Sequence, residues 1–114
     1  MIVFNRTKGK VLADRAERAE TFLRRLLGLL GRRPPAEGEG LWISPCRGVH
    51  SFGMRHTIDV LFLDGGGKVI GAIPGFPPMR LSRFYPGANG ALELPHGVLR
   101  RTDTACGDFV EFRE

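Results

Sequence analysis

Residues 58–73 read IDVLFLDGGGKVIGAI and carry the strongest structural signal in the chain. Two unbroken apolar runs, 60–63 and 69–70, flank three glycines, which is the pattern of a β-hairpin with a glycine turn. Because the runs do not alternate with polar residues, we expect a central pair of strands that is covered on both faces. The glycines do not resemble a phosphate loop, since no Lys-Ser/Thr pair and no helix pattern follows them.

Short strand candidates continue on both sides of this hairpin. Sixteen Gly and eight Pro in 114 residues demand many turns, and many turns in a small chain favour short strands. The N-terminus predicts a small hairpin, with strands at 2–5 and 11–13 and a turn at 7–9. After residue 40 the candidates number seven: 41–43, 49–54, 59–64, 68–73, 80–84, 91–94 and 108–112. The sequence therefore predicts a mainly β, antiparallel domain over residues 1–114.

One long helix is expected, within residues 14–27 near the N-terminus. Asp14 fits a helix N-cap, and Glu17 complements the positive end of the helix dipole. Apolar side chains then recur at helical spacing, with Gly28 or Gly31 available to end the helix. The following residues 32–40, RRPPAEGEG, are expected to form a surface loop.

Composition excludes several classes of protein. With 42% hydrophobic and 25% charged residues, the chain is neither disordered nor collagen-like. No apolar run reaches the ~18 residues of a membrane span, and no signal-peptide pattern opens the sequence, so we expect a cytoplasmic protein. Two cysteines, Cys46 and Cys106, are too few for a disulfide framework and are expected to be free.

The net charge of +5 allows an anionic partner. Arg outnumbers Lys fourteen to three, and Arg suits planar recognition of phosphate, although a compositional bias of the source genome explains the excess better. A nucleic-acid-binding protein is therefore one alternative. It would use arginines spread along the chain: Arg24, Arg25, Arg32, Arg33, Arg80, Arg83, Arg100 and Arg101.

The densest group of polar side chains lies in residues 46–59, CRGVHSFGMRHTID. If residues 49–54 are extended, His50, Phe52 and Met54 share one face, since side chains alternate along a strand. That face is either the mouth of a ligand pocket or a core-facing strand whose histidine is hydrogen-bonded. Glu93 lies among apolar residues and needs a partner, for which Arg55 is the candidate.

Three chemical alternatives have weaker support. Cys46 and His50 could form a thiol nucleophile and its base, but no known nucleophile signature surrounds them. A metal site that combined these two residues with His96 and Cys106 lacks the usual ligand spacing. Asp59 and Glu93 could form the acid pair of a glycosidase, yet a structural ion pair explains them better.

Several motifs are spread along the chain. The main signature comprises Cys46, Val49-His50, Phe52-Gly53-Met54-Arg55, Ile58-Asp59-Val60 and Phe62-Leu63-Asp64. An early motif is Gly28-Leu29-Leu30-Gly31-Arg32, and the later motifs are Leu92-Glu93-Leu94-Pro95 with Gly97, and Gly107-Asp108. Together these motifs resemble domain-of-unknown-function family 192. The resemblance implies a compact β sandwich or barrel with a short N-terminal helical part, and it implies no established activity.

These observations favour a non-catalytic module that binds an unidentified small molecule or protein. No cofactor, catalytic residue or metal ligand is indicated. The candidate binding residues are His50, Phe52, Met54, Arg55, Asp59 and Glu93. The nucleic-acid-binding protein and the Cys46/His50 hydrolase or thiol enzyme remain as alternatives.

Overall fold

A computed structural model describes residues 1–19 and 33–114. The strands are β1 (Ile2–Asn5), β2 (Lys10–Ala13), β3 (Arg15–Arg18), β4 (Glu39–Ile43), β5 (Ile58–Leu63), β6 (Val69–Phe76), β7 (Gly90–Pro95) and β8 (Val110–Arg113), and the helix α1 is Val98–Arg101. They form one sheet of order β2-β1-β8 and another of order β3-β4-β7-β5-β6. The mainly β class is confirmed.

The two sheets share a hydrophobic core. Val3 and Val110 from the smaller sheet pack with Leu61 and Leu92 from the larger one. A second core, which includes Phe62, lies against the larger sheet. All six residues of β5 are buried, with alternate side chains entering the two cores, so this strand is covered on both faces as its apolar run predicts.

The predicted β5–β6 hairpin is confirmed, with one difference. Asp64 Oδ1 accepts hydrogen bonds of 2.9 Å from the amides of Gly66 and Lys68, and Gly67 takes a left-handed φ of 85° that suits glycine. In the sheet order of the described strands, however, β5 is flanked by β7 and β6, while β6 lies at the edge. The expected central pair is thus one central strand and one edge strand.

The helix predicted from Asp14 is wrong at its start. Residues Arg15–Arg18 form β3, which runs parallel to β4, whereas the other strand pairs of the described chain are antiparallel. Only Ala16 of these four is buried, which is strand-like alternation rather than a helical stripe. Pairing with β4 gives the backbone of Arg15–Arg18 the hydrogen bonds that a helix would have formed within itself. Residues 20–27, Gly28 and Gly31 lie outside the described part of the chain.

Two further predicted strands are loops. Segments 49–54 and 80–84 meet through one β-bridge, between His50 and Leu81. Gly53 and Met79 have positive φ values of 86° and 60°, which interrupt an extended backbone at the two ends of this contact. Residues 33–38 are irregular as predicted, while Glu39 begins β4.

Candidate functional site

Asp59 and Glu93 lie on opposite faces of the larger sheet. In the antiparallel register Asp59 pairs with Leu94 and Val60 pairs with Glu93, and directly paired residues share a face. Successive residues of β5 point to opposite faces, so the sheet backbone separates the two carboxylates. They cannot flank one sugar ring, which removes the glycosidase alternative.

Asp59 is a structural carboxylate bound by backbone amides. Its side chain is fully buried, and its Oδ2 accepts hydrogen bonds from the Gly97 amide at 3.1 Å and the Leu99 amide at 2.9 Å, where α1 begins. Its Oδ1 accepts from the Gly75 amide of β6 at 2.9 Å. Asp59 therefore ties α1 to the edge of the larger sheet.

Arg55 is exposed and forms no ion pair with Asp59 or Glu93. The predicted bridge is wrong because backbone amides already occupy the Asp59 carboxylate, while Glu93 is buried beneath the sheet surface, with 4% of its area exposed. The Arg55 guanidinium is instead available at the surface.

Cys46 lies in an environment that disfavours its thiolate. Burial raises the pKa of the Cys46 thiol, a backbone hydrogen bond at Gly48 opposes this to a smaller extent, and the Glu93 carboxylate adds a further, lesser increase. The protonated thiol donates a hydrogen bond to the Gly48 carbonyl at 3.1 Å. A nucleophilic cysteine needs the opposite shift. The shift is opposite to the one that the Cys46/His50 thiol-enzyme alternative requires. Both cysteines are free.

Met54 does not share a face with His50 and Phe52. Its side chain is buried in the second core, because the backbone turns at Gly53 before reaching it. The His50 and Phe52 rings stack on each other at the surface, 5.5 Å between centroids and 24° between planes. Phe52 is 47% exposed. The predicted pocket mouth is therefore an open surface, with Met54 beneath it.

Ser51, which the sequence analysis passed over, holds the two loops together. Its buried hydroxyl donates to the Pro77 carbonyl at 2.6 Å and accepts from the Arg80 amide at 2.8 Å. Its backbone amide donates to the Arg80 carbonyl, and its carbonyl accepts from the Met79 amide. Its position as a small polar residue between His50 and Phe52 is the signal that could have identified it, since such hydroxyls often bind nearby backbone.

Tyr85 anchors the second loop on the larger sheet. Its ring stacks on Phe62 with centroids 4.2 Å apart, and the Arg83 guanidinium lies over its outer side, 5.1 Å from the centroid. A Cβ atom at Gly71 of β6 would clash with the same ring, so glycine is required there for close approach. The second loop is thus seated on a rigid strand pair.

The exposed side chains of residues 47–55 and 79–85 form what we call the two-loop surface. Leu81 is 73% exposed and lies opposite His50, whose ring stacks on Phe52, and Met79 in the same segment as Leu81 is 59% exposed. Phe84, in the second loop, is 62% exposed. The exposed cations of the surface are all arginines: Arg47, Arg55, Arg80 and Arg83. Residues 44–57 and 77–89 contain no Asp and no Glu, so no acid within these segments neutralises them.

A surface pocket and several candidate arginines lie away from the two-loop surface, and some of these arginines are paired with glutamates. A pocket at the outer end of β4 is lined by Arg15, Arg33 and Glu39 among others, and none of the six candidate residues lines it. Arg33 pairs with Glu39 at 2.7 Å, and this hydrogen bond is the main reason that the pKa of Glu39 falls to about 2. Arg101 lies 3.8 Å from the Glu37 carboxylate, while Arg24, Arg25 and Arg32 fall outside the described residues.

Residues 1–19 and 33–114 contain neither a group of metal-ligand side chains nor a membrane-spanning helix. No group of three or more His, Cys, Asp or Glu side chains is arranged to hold a metal ion there. No helix in these ranges has the length and apolar character needed to cross a membrane.

Comparisons with known proteins identify relatives over nearly the whole chain. Residues 3–112 match the family DUF192, described as "Uncharacterized ACR". A UPF0127 protein from Thermococcus sibiricus is 32% identical over 97% of this chain and 74% of its own length. A UPF0127 protein from Pyrococcus furiosus is 29% identical, over 96% of this chain and 97% of its own length.

Two crystal structures share the fold. A protein of unknown function from Novosphingobium aromaticivorans has a TM-score of 0.84 at 21% identity, covering 97% of this chain and 83% of that one. A putative transcription regulator from Sinorhizobium meliloti has a TM-score of 0.78 at 22% identity, covering 96% of this chain and 89% of that one. At these identities the likeness concerns the fold alone.

Proposed function

The chain belongs to the uncharacterised family DUF192, and we propose that it is a non-catalytic binding module whose binding face is the two-loop surface. Of the candidate residues, His50, Phe52 and Arg55 contact the ligand directly. Met54 packs beneath them, Asp59 holds the sheet and helix together, and Glu93 lies under the same face as Met54. This division follows from which side chains reach solvent.

The observation that carries the proposal is the exposure of Leu81 opposite the His50–Phe52 stack, with the exposed Met79 two residues away along the chain. Exposed apolar residues are ordinary when scattered singly, but a contiguous group rimmed by polar residues is typical of interaction sites. The β-bridge between His50 and Leu81 makes this group contiguous, because side chains directly opposite in an antiparallel pair are neighbours. Aromatic residues, Met and Arg are also the residues enriched in interfaces.

Binding of an anionic apolar dye, anilinonaphthalene sulfonate, tests the proposal on the folded protein. We expect the dye to bind and to fluoresce, and we expect Phe52→Ser combined with Leu81→Ser to weaken binding by about tenfold or more, since each buried apolar side chain contributes about 1.5–3 kcal/mol. The matched control is Val11→Ser, because Val11 is 49% exposed on the smaller sheet. Equal losses in the double variant and in the control would refute the proposal.

A nucleic-acid-binding function is the second candidate, and the acid-free arginine loops favour it. Arg80 and Arg83 lie there beside the exposed Phe52 and Phe84 rings, a combination that suits phosphates and stacked bases. Binding to mixed-sequence oligonucleotides should then fall steeply with salt, as contacts to phosphate release counterions. If no oligonucleotide binds at low salt, this candidate is wrong.

A further inference from the structure

We propose that the two-loop surface docks on an anionic lipid bilayer, with its apolar side chains entering the interface and its arginines contacting lipid phosphates. This inference rests on the proposed binding function and names the partner. Its elements are the exposed apolar group around Leu81, the acid-free arginines, and the rigid seating of both loops on β5 and β6.

The apolar group requires a partner with an apolar part. Leu81, the most exposed at 73%, is a branched aliphatic chain, and Met79, at 59%, is a flexible thioether, while Phe52 and Phe84 add exposed rings. The rings suit stacked bases, but Leu81 and Met79 offer no ring, so a nucleic acid would leave their apolar area unused. The headgroup and acyl boundary of a bilayer accepts aliphatic and aromatic side chains together.

The charge around this group requires an anionic partner. Arg47, Arg55, Arg80 and Arg83 add four positive charges to the two loops, and residues 44–57 and 77–89 supply no acid. Each Arg near an anionic leaflet adds electrostatic attraction, so four arginines together give a substantial attraction that salt weakens. Guanidinium groups also suit phosphate through paired N–H donors.

The same charges exclude a second copy of the chain as the occupant. A symmetric dimer through the two-loop surface would bring two acid-free arginine sets together, and like charges in an interface are strongly unfavourable. A bilayer that contains anionic lipids has the complementary charge. Charge complementarity and apolar exposure therefore point to the same partner.

The loops are held in place before binding. The Ser51 hydroxyl bonds link the first loop to the second, and the stack of Tyr85 on Phe62 fixes the second loop to the sheet. Ordering flexible loops on binding would cost free energy, and a surface that is already ordered avoids most of that cost. Ser51 and Tyr85 are positioning residues in this account.

Co-sedimentation with vesicles tests the proposal. We expect binding to vesicles that contain phosphatidylglycerol, much weaker binding to phosphatidylcholine alone, and loss of binding at high salt. Leu81→Ser should weaken binding by about tenfold, and Arg55→Gln by about fivefold, the equivalent of one surface charge. The controls are Val11→Ser for apolar area and Lys10→Gln for charge, both of exposed residues on β2.

The outcomes separate this inference from the proposed function. No binding to phosphatidylglycerol vesicles, or binding that Leu81→Ser and Val11→Ser reduce equally, would overturn the lipid assignment. If vesicles fail while an oligonucleotide or the dye binds in a manner that depends on Phe52 and Leu81, the binding face is right and its partner is wrong. If the dye also fails to distinguish the variants, both the face and the partner are wrong.

Discussion

At the residue scale, Asp59 shows how a buried carboxyl group is accommodated by backbone amides. Three backbone amides, from Gly75, Gly97 and Leu99, donate to its carboxylate. Amides at the start of a helix carry partial positive charge and otherwise lack partners, so a carboxylate there satisfies both groups. The sequence could predict that Asp59 needs a partner, but it could not predict that its partners would be backbone amides 16, 38 and 40 residues away.

Replacing Asp59 should destabilise the fold without touching the two-loop surface. We expect Asp59→Ala to lower the free energy of unfolding by about 3–5 kcal/mol, because three buried amides lose their acceptor, and Asp59→Asn to cost about 1–3 kcal/mol. Asp14→Asn is the control, since its side chain is 58% exposed and should change little. Urea denaturation measures both. A cost below about 1 kcal/mol for Asp59→Ala would contradict this role.

The two cysteines should differ in reactivity. Cys106 is exposed, whereas Cys46 is partly buried and has a raised thiol pKa, so its thiolate is scarce at neutral pH. We expect iodoacetamide to modify Cys106 first, and we expect the slow modification of Cys46 to accelerate with rising pH. Mass spectrometry of the Cys106→Ser variant isolates the second reaction. Rapid, pH-independent modification of Cys46 would restore the thiol-enzyme alternative.

At the element scale, the seating of the second loop depends on a strand without a side chain at Gly71. An added Cβ would displace the Tyr85 ring from Phe62. We expect Gly71→Ala to cost about 1–3 kcal/mol and to raise hydrogen exchange at the Tyr85 amide, which donates to the Arg47 carbonyl. Gly65→Ala is a matched control, since a Cβ there meets nothing. Equal behaviour of the two variants would show that the ring does not seat the loop.

The turn before β8 is tied to β1 by a buried polar network. Asn5 Nδ2 donates to Asp108 Oδ2 and to Thr104 Oγ1, each at 3.0 Å, and Lys8 Nζ donates to Asp108 Oδ2 at 3.1 Å. Burial alone would raise the pKa of Asp108, but hydrogen bonds from Asn5, the Ala105 amide and Lys8 outweigh it and hold the pKa below its usual value.

The lowered pKa of Asp108 predicts that the free energy of unfolding depends on pH in the acidic range. A pKa that is lower in the folded state than in the unfolded state stabilises the fold above the unfolded value of about 4, and the contribution disappears as pH falls through the folded value. We expect the free energy of unfolding to decline with acidification less steeply in Asp108→Asn than in the unmodified chain. Parallel declines in a urea series across acidic pH would show that Asp108 is not linked to folding.

Strand identity was largely predictable at this scale, and helix identity was not. Apolar runs near turn-forming residues predicted β1, β5 and β7 closely, because the residues that favour burial and those that favour turns are close together in the sequence. The helix start at Asp14 failed because parallel pairing of β3 with β4 depends on a strand more than twenty residues away. Residues 49–54 failed for a different reason: the positive φ at Gly53 breaks an otherwise strand-like pattern.

At the scale of the whole molecule, the two sheets bury most apolar residues in the described chain, while the two-loop surface leaves Leu81, Met79 and Phe84 exposed. The sequence analysis found half of that surface, His50, Phe52 and Arg55. It assigned Leu81 to an ordinary strand. Asp59 was grouped with this surface although it points to the opposite face of the larger sheet from Glu93, because the faces of a sheet follow from strand register, which no single stretch reveals.

A residue-resolved titration tests the assignment of the two-loop surface most directly. Amide chemical shifts of the isotope-labelled chain are followed as micelles of lysophosphatidylglycerol are added. We expect the shifts to concentrate in residues 47–55 and 79–85 and to vanish with Phe52→Ser and Leu81→Ser combined, while the Val11→Ser control behaves like the unmodified chain. Shifts that concentrate instead on β1, β2 and β8, or that persist unchanged in the double variant, would contradict the assignment.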